Sequence, residues 1–162
     1  MRDSFAEELT NIENAEQELK RIDHLIYVSL KYTRTVDVFK NVLQRLVTTG
    51  DFLRETLLDH LLTGGKIESI PENQAMKADL IRKNFTEDLT IMELINFHQL
   101  MRRINRAEFT RKNEFRRHVT MTIVDGPDVM EIKIETLTDY YKKMKDHFMA
   151  VNEIVRTDKE MD

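Results

Sequence analysis

The chain has 162 residues with a net charge of −4, only four glycines and two prolines, and no cysteine. The length suits a single domain covering residues 1–162, and the scarcity of glycine and proline, the main turn-forming residues, predicts long helices. The missing cysteine excludes disulfides, thiolate metal sites and cysteine nucleophiles, and because there is no apolar leader or membrane-length segment we expect a soluble, cytoplasmic protein.

A capping box formed by Ser4 and Glu7 predicts the start of the first helix. Apolar residues then recur every seventh position on one face of that helix: Phe5, Ile12, Leu19 and Ile26. A second apolar stripe, from Val36 to Val47, lies about 150° round the helix axis from the first. One straight helix cannot bury both stripes on the same side. Either the chain breaks within Tyr32–Thr35, with threonine as the new cap, or one long helix is covered on opposite sides; we favour the break.

Three further helices are marked by their termini. Asp51 is a capping residue type and Gly64–Gly65 is typical of a helix end, so we expect a third helix between them. Ser69–Pro71 predicts the start of a fourth helix, and Thr86–Asp88 the start of a fifth. Apolar residues of the fifth helix repeat at helical spacing: Ile91, Leu94, Phe97, Met101 and Ile104.

The period changes at His118, where β-branched residues precede the turn residues Asp125–Asp128 and an alternating segment follows. This pattern predicts one β-hairpin over about residues 118–135. A lone hairpin is marginal in water, so its apolar face must pack on the helices or against a second copy of the chain. A last helix is expected from Thr136, with a frayed polar tail over Thr157–Asp162.

These patterns together predict a mainly α fold, a compact bundle of five or six helices with one β-hairpin before the C-terminal helix. We expect it to form a homo-oligomer such as a dimer. No glycine-rich phosphate loop is present, and no acidic residue stands three positions before a histidine, so neither a cofactor nor a metal site is predicted. His98 and His147 are expected at the boundary of the core, and three methionines within it: Met76, Met101 and Met144.

One segment stands apart by its charge. Between positions 102 and 117 seven residues are basic and two are acidic, a net charge of +5, which leaves −9 on the rest of the chain. The basic residues are Arg102, Arg103, Arg106, Arg111, Lys112, Arg116 and Arg117. Such a patch is typical of a surface that binds an acidic partner such as RNA, and would make the protein a non-enzymatic interaction or assembly module. The alternative is neutralisation by the acidic N-terminal residues: Glu7, Glu8, Glu13, Glu16 and Glu18.

Six residues separate Arg111 from His118 within this segment. This spacing resembles the arginine, four to six residues, histidine motif of the HEPN superfamily of small helical domains. The resemblance implies a metal-independent endoribonuclease in which a dimer brings two motifs together, with His118 as general acid or base and Arg111 stabilising the transition state. Arg54 and His60, separated by five residues, also fit the motif, but no other basic residues lie near them in the sequence.

Overall fold

The structure, a computed structural model, describes residues 9–161 and the side chains as far as Thr157. Helix α1 (Asn11–His24) begins where Thr10 Oγ1 accepts a hydrogen bond from the Glu13 backbone N–H. The capping box predicted at Ser4 and Glu7 lies outside the described residues.

Helix α1 continues through a π-helical turn (Leu25–Ser29) into the short α2 (Leu30–Tyr32). The chain then becomes extended at Thr33, which confirms the break predicted within Tyr32–Thr35. The predicted threonine cap is wrong, because the Thr35 side chain makes no capping hydrogen bond. The Val36 N–H instead donates to Glu114 Oε2 at 2.9 Å, so a residue 78 positions away caps the next helix.

Helix α3 (Val36–Thr63) is one continuous helix, so the helix start predicted at Asp51 is wrong. Gly50 and Asp51 resemble a helix boundary in the sequence, but they lie in the middle of α3, where another helix packs closely against Gly50. The Cβ that an alanine would place at position 50 would lie 2.3 Å from Cδ2 of His98. Glycine is therefore needed at this position for packing.

Helix α4 (Gln74–Asn84) starts later than predicted, because Asn73 and not Ser69–Pro71 provides its cap. Helix α5 (Leu89–Arg106) starts as predicted, with Asp88 Oδ1 accepting from the Ile91 N–H at 3.1 Å. The predicted apolar face of α5 is buried throughout. Of the three methionines expected in the core, Met101 and Met144 are buried, whereas Met76 on α4 is exposed.

The predicted hairpin is confirmed and extended by a strand that was not predicted. Strands β1 (Glu108–Lys112), β2 (Thr120–Asp125) and β3 (Asp128–Ile132) form an antiparallel sheet in the order β1-β2-β3. Gly126, at a φ of 62°, provides the left-handed residue of the two-residue turn between β2 and β3. Strand β1 pairs Phe109 with Ile123 and continues directly from α5.

The inner face of the sheet packs on the helices of the same chain. Three of its apolar side chains are buried in the common core, Met121, Ile123 and Ile132, together with Val119 directly before β2. The hairpin therefore does not need a second copy to cover its apolar face.

Helix α6 (Ile134–Met161) completes the bundle and packs against α1, α3 and α5. It starts two residues before the predicted Thr136, whose Oγ1 accepts from the Lys133 N–H. Its backbone is helical through Met161, so the prediction of a frayed tail is wrong over that part. No helix in the described chain is long and apolar enough to cross a membrane.

Candidate anion-binding site

The seven basic residues singled out in the sequence lie on three successive pieces of structure. Arg102, Arg103 and Arg106 lie on the last turns of α5, and Arg111 and Lys112 lie on β1. Arg116 and Arg117 lie in the loop of residues 113–119 that joins β1 to β2. The patch therefore runs from a helix end, along a strand, to a loop.

Arg111 is held by carboxylates and contributes little free charge to this patch. Its Nη1 lies 2.9 Å from Asp37 Oδ1 and 3.6 Å from Glu114 Oε2. The hydrogen bond to Asp37 raises the pKa of Arg111 above its ordinary value. Since Asp37 is in the first turn of α3, this ion pair ties β1 to the start of that helix.

The loop of residues 113–119 has a fixed backbone and exposed basic side chains. Asn113 and Phe115 adopt left-handed φ angles of 56° and 66°, and the Phe115 N–H donates to the Arg34 carbonyl at 2.7 Å. Arg116 and Arg117 are exposed and make no ion pair with another described residue. The loop therefore presents two free cations from an anchored backbone.

The two residues of the HEPN-like motif have different surroundings in the structure. Arg111 is on β1 with its guanidinium bound to Asp37, whereas His118 is exposed in the loop before β2. No hydrogen bond or ring contact joins their side chains within the described chain.

Of the described acidic residues of the first helix named above, Glu16 and Glu18 bind elsewhere, and Glu13 forms no ion pair with a described residue. Glu18 lies 2.8 Å from Arg21 and 3.0 Å from Arg45, and Glu16 pairs with a lysine one turn along α1. Glu7–Glu8 lies outside the described residues. The basic segment instead forms its described ion pairs with carboxylates on α3, in the loop of residues 113–119 and in the sheet.

A pocket of about 330 Å³ lies between α3, α4 and α5 and contains the end of the basic segment. No carboxylate of the described chain lines it. Its polar lining consists of four arginines, a histidine and two glutamines: Arg54, Arg102, Arg103, Arg106, His98, Gln74 and Gln99. This pocket gives Arg54, which is isolated in the sequence, a strongly basic setting in the fold.

Arg54 is the buried arginine of the pocket, with only 6% of its surface exposed. Its Nη2 lies 3.1 Å from Glu55 Oε1, and its Nη1 donates to Gln74 Oε1. Its Nε is buried and has no hydrogen-bond partner. Arg102 Nη1 donates to the same Gln74 oxygen at 2.6 Å, so two guanidinium groups converge on one neutral acceptor.

His98 forms the inner wall of the pocket and is fixed by two contacts with α3. Its Nε2 lies 2.8 Å from Asp51 Oδ1, and its ring packs on Gly50. Burial raises the pKa of Asp51, but the hydrogen bond with His98 and the nearby charges of Arg54 and Arg102 outweigh this effect and hold that pKa below its ordinary value. His98 was expected at the core boundary; it is buried, and Asp51 satisfies it.

The first turn of α4 forms the third side of the pocket through Gln74 and Ala75. Asn73 Oδ1 accepts from the Met76 N–H, but in the described chain the N–H groups of Gln74 and Ala75 have no acceptor. Free N–H groups and the helix dipole make such a terminus favourable for a negative charge.

Sequence patterns identified the α5 arginines but not Arg54 or Gln74. One signal was available, because Arg54 lies between the apolar pairs Phe52–Leu53 and Leu57–Leu58 on a helix that is buried on most sides. A charged residue in that setting needs a partner or a ligand. Gln74 offered no comparable signal, since its contacts come from residues 20 and 28 positions away.

The arrangement can bind an anion by hydrogen bonds and charge. No group of three histidine or carboxylate side chains with metal-binding geometry occurs among residues that the structure describes. Comparison with models of known protein families, with curated protein sequences and with solved structures finds no match to this chain.

Proposed function

We propose that the protein is a non-enzymatic module that binds RNA through its basic segment. The supporting observation is that Lys112, Arg116 and Arg117 are exposed on β1 and its loop without a carboxylate partner among the described residues. Phosphate groups of a polynucleotide are the natural partners of unpaired cations in a row.

The loop of residues 113–119 is held in place by hydrogen bonds. This favours a binding surface over a cluster of charges that contacts only solvent. Glu114 and Phe115 fix the loop to the break before α3 through their hydrogen bonds to Val36 and Arg34. A fixed backbone reduces the entropy lost when the arginines engage a ligand. At the other end of β1, Arg106 is also exposed and makes no ion pair with a described residue, so one strand of RNA could contact both ends.

The proposal contains no catalytic step, because the guanidinium of Arg111 is already bound to Asp37 and has no contact with His118. The ribonuclease alternative places its chemistry on those two residues. It can be tested together with binding.

Fluorescence anisotropy with a labelled single-stranded 12-mer RNA, measured over a range of salt concentrations, tests the proposal. We expect affinity to fall steeply with salt, and the Arg116→Ala/Arg117→Ala variant to lower the slope by about 0.7 for each phosphate group that it no longer neutralises. A matched control removes two exposed lysines on other helices, Lys20→Ala/Lys142→Ala, and should bind as the wild type does. Equal affinity and slope in all three proteins would contradict the proposal.

Two further experiments distinguish RNA binding from the nuclease and from binding to an acidic protein. Incubating the same RNA with wild-type and His118→Ala protein in EDTA should leave it intact in both; cleavage that the variant loses would support the HEPN-like nuclease instead. Displacement of the RNA by polyglutamate at equal charge concentration would indicate an acidic protein surface as the partner.

A further inference from the structure

We infer that the pocket between α3, α4 and α5 binds a terminal phosphate, the phosphate monoester at one end of an RNA strand. The choice of RNA as the molecule that carries this phosphate rests on the proposed function. The anion site itself rests on the pocket.

The first support is the state of Arg54. More than nine-tenths of this residue is buried, it lines the pocket, and its Nε has no acceptor. A buried donor without a partner is unfavourable, and a charged one more so. The guanidinium is therefore an incompletely paired buried cation, and an anion bound in the pocket that it lines would stabilise it by charge.

The second support is Gln74 Oε1, which accepts hydrogen bonds from both Arg54 and Arg102. Guanidinium groups bind charged oxygens more strongly than neutral amides, and two of them facing one point match the oxygens of a phosphate. Gln74 is an exposed residue at the first position of α4, so its side chain can turn into solvent. The amide oxygen therefore marks the position that a phosphate oxygen would take.

The third support comes from the backbone of α4, an 11-residue helix whose first turn lines the pocket. The N–H groups of Gln74 and Ala75 are free of acceptors in the described chain. A helix N-terminus and a buried arginine from a different helix thus meet in one cavity. Each favours a negative charge independently of the other.

The charge of the pocket fits a dianion. Within the ion-pair network formed by its lining residues, their carboxylate partners and the lysine that also binds Glu55, five groups are cationic and three are carboxylates, which leaves +2. The cations are Arg54, Lys77, Arg102, Arg103 and Arg106, and the carboxylates are Asp51, Glu55 and Asp125. A phosphate monoester carries close to two negative charges at neutral pH, whereas an internal phosphodiester carries one.

The burial of Arg54 beside the exposed Arg103 and Arg106 also favours a chain end. An internal phosphodiester has two oxygens tied to the continuing strand, so it can approach only the exposed rim formed by Arg103 and Arg106. A terminal phosphate has three free oxygens and one attachment. It alone can enter as far as the buried Arg54 while the strand leaves across the rim.

The test compares three forms of one internally labelled RNA 10-mer, with a 5′-phosphate, a 3′-phosphate or hydroxyls at both ends. We expect one phosphorylated form to bind the wild-type protein about tenfold more tightly than the hydroxyl form. Gln74→Glu places a carboxylate between the two guanidinium groups and should abolish this preference while the protein stays folded. Gln17→Glu, on the exposed face of α1, adds the same charge elsewhere and should retain it.

Arg102→Gln should also remove the preference, and because Arg102 is partly exposed this variant avoids the folding risk of changing Arg54. Equal affinity of the wild type for all three RNAs would overturn the inference and leave the proposed RNA binding intact. If no RNA binds but inorganic phosphate raises the melting temperature of the wild type and not of Gln74→Glu, the proposed function and the RNA end as ligand are both overturned, and the site is one for free phosphate.

Discussion

The imidazole of His98 packs directly on Gly50, where a Cβ would lie only 2.3 Å from its Cδ2. This contact lets α5 cross α3 closely enough for His98 Nε2 to reach Asp51 at 2.8 Å. Asp51 Oδ1 in turn lies 3.9 Å from Arg54 Nη2 and 3.8 Å from Arg102 Nη1. The missing side chain at Gly50 therefore positions the inner wall of the pocket.

Gly50→Ala should destabilise the protein, although alanine normally stabilises a helix interior relative to glycine by roughly 0.5–1 kcal/mol. The new methyl group must displace the buried His98 ring, and overpacking of this kind costs about 1–3 kcal/mol. Urea denaturation measures the change in the free energy of unfolding. In a His98→Ala background, where room exists, the same substitution should be neutral or stabilising; an equal loss in both backgrounds would show that the contact is not responsible.

Glu114→Ala should destabilise the protein by about 1–2 kcal/mol, because it removes the acceptor that caps α3 at the Val36 N–H. Glu114→Gln keeps an oxygen at that position and should lose less. Glu131→Ala, which removes an exposed carboxylate 3.7 Å from Lys133 on the neighbouring sheet segment, serves as the control and should change stability by less than about 0.5 kcal/mol. If thermal unfolding shows that Glu131→Ala destabilises the protein as much as Glu114→Ala does, the capping role of Glu114 is contradicted.

The helices could be predicted from the sequence because their apolar faces repeat locally, as the buried face of α5 from Ile91 to Ile104 shows. The errors arose where distant contacts override local signals. Gly50 and Asp51 are a helix boundary by local rules, but α3 continues through them, and the glycine is explained by the packing of His98 of α5 on this position. Strand β1 was not predicted because Phe109 is its only apolar residue. The strand is stabilised by its pairing with β2, which the local sequence does not indicate.

The candidate site was predicted only in part, for the same reason. Arg102, Arg103 and Arg106 are close in sequence and were recognised by their charge. Arg54 and Gln74 join them through the packing of α3, α4 and α5, which no local pattern encodes. Arg111 was counted as a free cation because Asp37, its partner, lies 74 positions earlier.

His147→Leu should stabilise the protein by about 1 kcal/mol near neutral pH, since it removes two buried polar atoms that have no hydrogen-bond partner. His147 was expected at the core boundary, yet it is 1% exposed, and the nearest carboxylate oxygen, on Glu93, lies 3.7 Å from Nε2. Equilibrium unfolding in urea at pH 7.5 gives the difference. A destabilised variant would mean that the imidazole makes a favourable contact.

The same histidine should make the stability depend on pH. Burial lowers the pKa of His147 in the folded protein, so below about pH 6.5 the unfolded chain binds a proton that the folded chain does not. The free energy of unfolding should therefore fall as the pH decreases from about 6.5 towards that lowered pKa. His147→Leu should lose less stability over this range than the wild type; an equal loss in both proteins would show that His147 does not cause the dependence.

Replacing Arg111 and replacing Arg116 should have different effects on stability and on RNA binding, although both residues are arginines and lie only five positions apart in the sequence. Arg111→Ala removes a guanidinium that is bound to Asp37 and stacked 5.4 Å from the Phe109 ring centroid, so it should lower the melting temperature and alter the salt dependence of RNA binding little. Arg116→Ala removes an exposed cation without an ion-pair partner in the described chain, so it should leave the melting temperature unchanged and reduce the salt slope by about 0.7. Thermal unfolding and RNA titrations of both variants measure the two effects separately. Similar changes in both properties for both variants would show that the ion pair to Asp37 does not remove Arg111 from the binding surface.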